Sequence, residues 1–73
     1  MKEIYSDNDC EPVGSFIRSA LSIKDLDELF IRNSIPYVLH GSRCEEIMVP
    51  KPLAKKASEM LWKSELRGRV TIY

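Results

Sequence analysis

The sequence predicts a small α+β domain with elements in the order β-α-β-β-α-β, on three observations. Residues 35–49 read IPYVL-HGSR-CEEIMV, two alternating apolar runs joined at Gly41-Ser42. Gly followed by Ser suits a two-residue type II′ turn, whose twist matches that of paired strands. A Pro-started amphipathic segment, PKPLAKKASEMLWKSEL, follows at once, and β-prone runs stand near both termini.

The first of those runs, Lys2 to Tyr5, is read as a strand ended by SDND, whose short polar side chains favour a turn. From Pro12 the apolar positions Val13, Phe16, Ile17, Ala20 and Leu21 recur at spacings of three and four, which predicts a helix. Ser22 with Asp25 three positions on resembles a capping box, and Leu26, Leu29, Phe30 and Asn33 continue on one face. The expectation is either two helices meeting near Ser22 or one bent helix over 12–33.

Ile35 to Leu39 is the second strand, and Pro36, which cannot donate a ladder hydrogen bond, assigns it to a sheet edge. With His40 facing Arg43 across the turn, Leu39 pairs with Cys44, Tyr37 with Glu46 and Ile35 with Met48. Ile35, Tyr37, Leu39, Cys44 and Met48 then share the face that packs on helices. In the last helix Leu53, Ala57, Met60, Leu61 and Ser64 form one stripe, with Pro52 in the first turn and Gly68 as the C-terminal stop. RVTIY supplies the final strand. Right-handed crossovers place both helices on one face of an antiparallel sheet, a ferredoxin-like plait with the N-terminal and third strands in the middle. The alternative is a helical domain with a β-hairpin wing, residues 12–33 forming a helix pair.

A chain of 73 residues is read as one domain with a thin core, too short to spare walls for a deep pocket, which favours binding and regulation over catalysis. The longest apolar stretch is a few residues, and the N-terminus lacks the apolar run of a signal peptide, so a cytoplasmic location is expected. Two cysteines, Cys10 and Cys44, are fewer than a disulfide-stapled secreted domain carries, and are expected to be free. Net charge is zero, but residues 1–37 hold four basic and seven acidic side chains and residues 38–73 seven basic and four acidic. Either the two halves form patches of opposite sign that steer a partner, or folding interleaves them.

His40, Arg43, Cys44, Glu45 and Glu46 are the densest set of reactive groups, yet they flank a solvent-filled turn and lack an evident oxyanion donor. They are read as a polar hairpin tip. No Cys-x-x-Cys or His-x-x-x-His spacing supports a metal site, and Gly14, Gly41 and Gly68 stand too far apart for a phosphate loop, so no metal or cofactor is expected. The carboxylates at Glu45-Glu46 and at Asp25, Asp27 and Glu28 are read as solvated charges.

Trp62 lies about 180° around the last helix from Leu53, away from the apolar stripe. It is covered by the acidic N-terminal segment or it faces a partner, with Leu66 on the same side. Lys51, Lys55, Lys56, Lys63, Arg67 and Arg69 make this end of the chain basic, interrupted by Glu59 and Glu65.

Residues 26–61 resemble the small bacterial signal-transducing domains of the DUF2007 type, in which a helix leads into an IPxxL-like strand, a strand ending in Val and an Ala-rich helix. The matching pieces are Ile35-Pro36-Tyr37-Val38-Leu39, Ile47-Met48-Val49 and Ala54-Lys55-Lys56-Ala57. The resemblance covers about half the chain and implies a ferredoxin-like, PII-like regulatory fold without catalytic residues. The segment 6–25 and the tight hairpin depart from that pattern. The function expected is therefore a non-enzymatic regulatory protein of bacterial or phage type that binds a protein partner. Trp62 and Leu66 are its apolar anchors, Lys55, Lys56, Lys63 and Arg67 its complementary charges, and an open edge strand offers a route to a homodimer. The alternative is a nucleic-acid-binding regulator using the basic last helix or a β-wing.

Overall fold

A computed structural model describes residues 9–73. The elements run β1 (Cys10–Ile17), α1 (Ile23–Arg32), β2 (Val38–His40), β3 (Cys44–Pro50), α2 (Ala54–Lys63) and β4 (Thr71–Ile72), with 3-10 turns at Lys51–Leu53 and Glu65–Gly68. The chain is thus α+β, and the four strands form one antiparallel sheet in the order β2-β3-β1-β4. Lys2 to Tyr5 lies outside the described residues.

The largest departure from the sequence reading is β1, which occupies the segment whose spacing of three and four predicted a helix. The ladder with β3 steps from Pro12↔Met48 to Gly14↔Ile47, leaving Val13 as an extra residue. Such a bulge adds one position to a period of two, so Val13 and Phe16, three apart, both point into the core. Ala20 sits in the turn after the strand and Leu21 is buried beyond it, completing a helix-like spacing without a helix. The bulge also accommodates Pro12 in a central strand. The helix pair over 12–33, and with it the winged helical alternative, is not formed.

α1 starts at Ser22, whose side chain makes no capping hydrogen bond, so the box with Asp25 is absent. Its other end is well closed. Ser34 has φ 58°, and the N–H groups of Ser34 and Ile35 donate to the carbonyls of Ile31 and Phe30 at 3.0 Å each. This is a Schellman ending with Ile35 folded back toward Phe30, and it turns the chain toward β2.

The hairpin register also differs. Val38 pairs with Met48, Leu39 with Ile47 and His40 with Glu46, a slip of three from the tight-turn pairing. Gly41 has φ 124°, and residues 41–43 make a wider connection. An odd slip exchanges faces. Glu45, Ile47 and Val49 point into the core, while Cys44 is exposed and Met48 only partly covered on the other side. β2 is an edge strand, as expected, but Pro36 precedes it instead of lying in it, so the proline does not set that position through a missing ladder hydrogen bond.

Leu26 and Phe30 of α1, Ala54, Ala57 and Leu61 of α2, and Leu66 and Val70 join Val13, Phe16, Ile47 and Val49 in one core. The stripe expected for α2 is present, but its stop is Ser64 and not Gly68. The Ser64 hydroxyl donates to the Leu61 carbonyl at 2.8 Å and accepts from the Leu66 N–H at 3.1 Å, closing the helix and capping the 3-10 turn.

Candidate functional site

The six residues singled out by sequence do not form one surface. Trp62 is 54% exposed, while Leu66 is 7% exposed and belongs to the core, so Leu66 is not an accessible anchor beside it. The 3-10 turn that follows α2 explains this, because it breaks the helical phase that placed the two residues on one side. Lys55, Lys56, Lys63 and Arg67 are all exposed. At about 100° per residue Lys55 lies about 20° from Trp62 around α2, whereas Lys63 and Lys56 lie about 100° and 120° away. Trp62 and Lys55 therefore share one flank, and Lys56 and Lys63 the other.

The Lys56 flank faces α1 across an open groove of about 720 Å³, with Leu29, Met60 and Leu66 among its lining residues. Its charged lining carries both signs: Glu28 and Arg32 come from α1, Lys56 and Lys63 from α2. The ion pair of Arg18 with Glu45 lies outside the groove. Sequence reasoning missed the groove because it depends on how far apart two helices stand, which no local pattern encodes.

The hairpin cluster is dispersed in the same way. Glu45, read as solvated, is 5% exposed, and its carboxylate meets the Arg18 guanidinium at 3.2 Å. The pair links the turn after β1 to β3, and removing Arg18 would leave the buried Glu45 carboxylate without its counter-charge. His40, Cys44 and Glu46 point to the opposite face of the sheet, away from the core. Among the described residues no three His, Cys, Asp or Glu side chains come together to hold a metal ion. Cys10 pairs in register with Pro50 and Cys44 with Ile17, at opposite ends of the β1–β3 ladder. At roughly 3.3 Å per residue they are about 20 Å apart, far beyond disulfide reach of each other.

A partly buried polar contact absent from the sequence reading joins α1 to the chain before β2. The Tyr37 hydroxyl donates to the Asp27 carboxylate at 2.7 Å, and its ring lies 4.8 Å from that of Phe30. Burial, reinforced by the hydrogen bond and the charge of Asp27, pushes the Tyr37 phenol up to about 12. A phenol harder to ionise in the folded chain contributes stability that is complete below pH 10 and lost as pH rises from about 10 to about 12, where the unfolded chain ionises first. Urea melts across that range should show a falling midpoint, and Tyr37→Phe should flatten the fall; an unchanged slope would deny Tyr37 this role.

No family model matches the chain, and no curated protein or solved structure matches it.

Proposed function

We propose that this chain is a non-enzymatic regulatory module of bacterial or phage type, cytoplasmic, that acts by binding a protein partner through the outer flank of α2. The observation that carries the reading is Trp62, a large aromatic more than half exposed on a regular helix with Lys55 beside it. Tryptophan is enriched where binding energy concentrates, and a flanking cation adds electrostatic complementarity. The strand order β2-β3-β1-β4, with the long strands β1 and β3 in the middle, supports a ferredoxin-like plait as the scaffold. The resemblance to DUF2007-type domains over residues 26–61 points the same way.

The nucleic-acid alternative draws less support, because the cations of α2 are divided between two flanks and those facing the groove are interleaved with acids.

The test is capture of partners from bacterial lysate on immobilised chain, with and without nuclease, using wild type and Trp62→Ala. A nuclease-resistant protein retained by wild type and reduced about tenfold or more by Trp62→Ala is expected, in line with the ~2 kcal/mol typical of a central aromatic anchor. Capture that vanishes with nuclease, or that ignores the substitution, would overturn the reading.

A further inference from the structure

We propose that the groove between α1 and α2 docks an amphipathic helix of a protein partner, one that carries a basic and an acidic side chain a single turn apart beside its apolar stripe. The site is separate from the outer flank of α2 and does not rest on the function proposed for Trp62.

The two helices run antiparallel. β1 and β2 point one way in the sheet, β3 and β4 the other, and each helix returns the chain between the members of a parallel pair. Both helices present the same spacing to the groove: Asp25, Glu28, Leu29 and Arg32 from α1, and Lys56, Glu59, Met60 and Lys63 from α2. At about 100° per residue each set covers about 100° of its helix, with half-buried Leu29 and Met60 nearest the core and the charged residues on the shoulder above them.

Antiparallel packing brings the two sets together in reverse order. Asp25 is level with Lys63, Glu28 with Glu59, and Arg32 with Lys56. The first level is balanced, and Glu65 and Arg69 beyond it add one charge of each sign. The other two are not balanced, for acid faces acid and, about one turn lower, base faces base. Each glutamate also has a cation four residues on along its own helix, Arg32 or Lys63, yet neither of these pairs closes into an ion pair.

Like charges facing across a groove repel, and a complementary occupant relieves them. It does so by setting a cation between Glu28 and Glu59 and an anion between Arg32 and Lys56. Residues three or four apart on one face of a helix meet that spacing. Leu29, Met60 and Leu66 receive the apolar stripe of such a helix, which packs between two others as any third helix does. The chain's own residues 1–8 do not offer the charge pattern, because their one basic side chain, Lys2, has Tyr5 and Ser6 three and four positions on. The groove is flanked by two helices of 10 residues and is therefore about 15 Å long, which makes the contact weak and transient and not that of a permanent complex.

The probes are synthetic amphipathic peptides of about 15 residues, long enough to be partly helical alone. They are titrated to about 1 mM, the weak end of specific affinity, into the nitrogen-15-labelled full chain and followed through its amide shifts. In the matched peptide Lys and Glu stand four apart beside a Leu stripe, and in two others both positions are Lys or both are Glu. The matched peptide is expected to shift amides of α1 and α2 saturably. Each single-sign peptide should bind about tenfold more weakly, one attraction having become a repulsion. Proline at the centre of the matched peptide should abolish the shifts by breaking its helix. Arg32→Glu with Lys56→Glu, both at exposed positions, should transfer the preference to the peptide with two lysines at unchanged circular dichroism. Groove amides unmoved by the matched peptide, three peptides bound alike, binding that survives the proline, or a preference that ignores the double substitution would overturn the proposal. So would groove amides that shift with protein concentration alone, since a second copy would then fill the groove. Trp62→Ala should leave the titration unchanged, so the groove and the outer flank are read independently.

Discussion

Phe30→Ala is expected to cost about 3–5 kcal/mol and to lower the melting temperature by roughly 15–30 °C, the range found for deleting a buried aromatic ring from a domain of this size. Phe30 is fully buried on α1 and stacks at a tilt of 48° on Tyr37, which is itself tied to Asp27. Its carbonyl also receives the Ile35 N–H that ends the helix. Loss of the ring therefore removes core volume at the point where α1 is fastened to the chain entering β2. A domain of 73 residues has a total stability of roughly 4–11 kcal/mol, so the variant retains at best a fraction of it. Thermal melts followed by circular dichroism check this, with Ile31→Ala as the comparison. Ile31 is the next residue but 67% exposed, and its loss should change stability by no more than about 0.5 kcal/mol. Equal effects at the two positions would mean that α1 is not seated as described.

Gly41→Ala is expected to destabilise by about 2–3 kcal/mol, the scale of a strained backbone position. At φ 124° an L side chain is disfavoured, and a Cβ on Gly41 would sit 2.1 Å from the Cys44 carbonyl oxygen, a backbone atom that cannot swing away. The connection must open, and the β2–β3 register that puts Ile47 in the core is set there. Urea unfolding measures the loss, and amide exchange should locate it in Val38–His40. Gly68→Ala is the control: no atom lies within 4 Å of its added Cβ and its φ is not in the disfavoured region, so it should be neutral or slightly stabilising. A Gly41→Ala chain as stable as that control would show that the turn has a relaxed alternative.

Sequence reasoning held at α2 and failed at β1. α2 was legible because Ala57, Met60 and Leu61 repeat at helical spacing over a run long enough to leave no competing period. The exposure of Trp62 followed from the same wheel. The apparent helix over 12–21 failed because a single bulged residue at Val13 converts strand alternation into a spacing of three. The composition of that segment, with Val, Phe and Ile beside Gly14, was the better signal. Gly14 has its own reason: a Cβ there would lie 2.8 Å from the Thr71 carbonyl, so only glycine lets β4 approach β1.

Among the candidate site residues the division is equally physical. That α2 carries lysines and a tryptophan off its apolar stripe is a property of one helix, and the sequence alone determined it. The α+β class was legible in the sequence as well. Which of those residues share a surface was decided by tertiary structure. The 3-10 turn after Ser64 buries Leu66, α1 faces the Lys56 and Lys63 flank of α2 across the groove, and the three-residue slip of the hairpin turns Glu45 inward and Cys44 outward. Local periodicity fixes which side of its own element a residue occupies. Register and helix packing, set by contacts between residues distant in the chain, determine what that side meets.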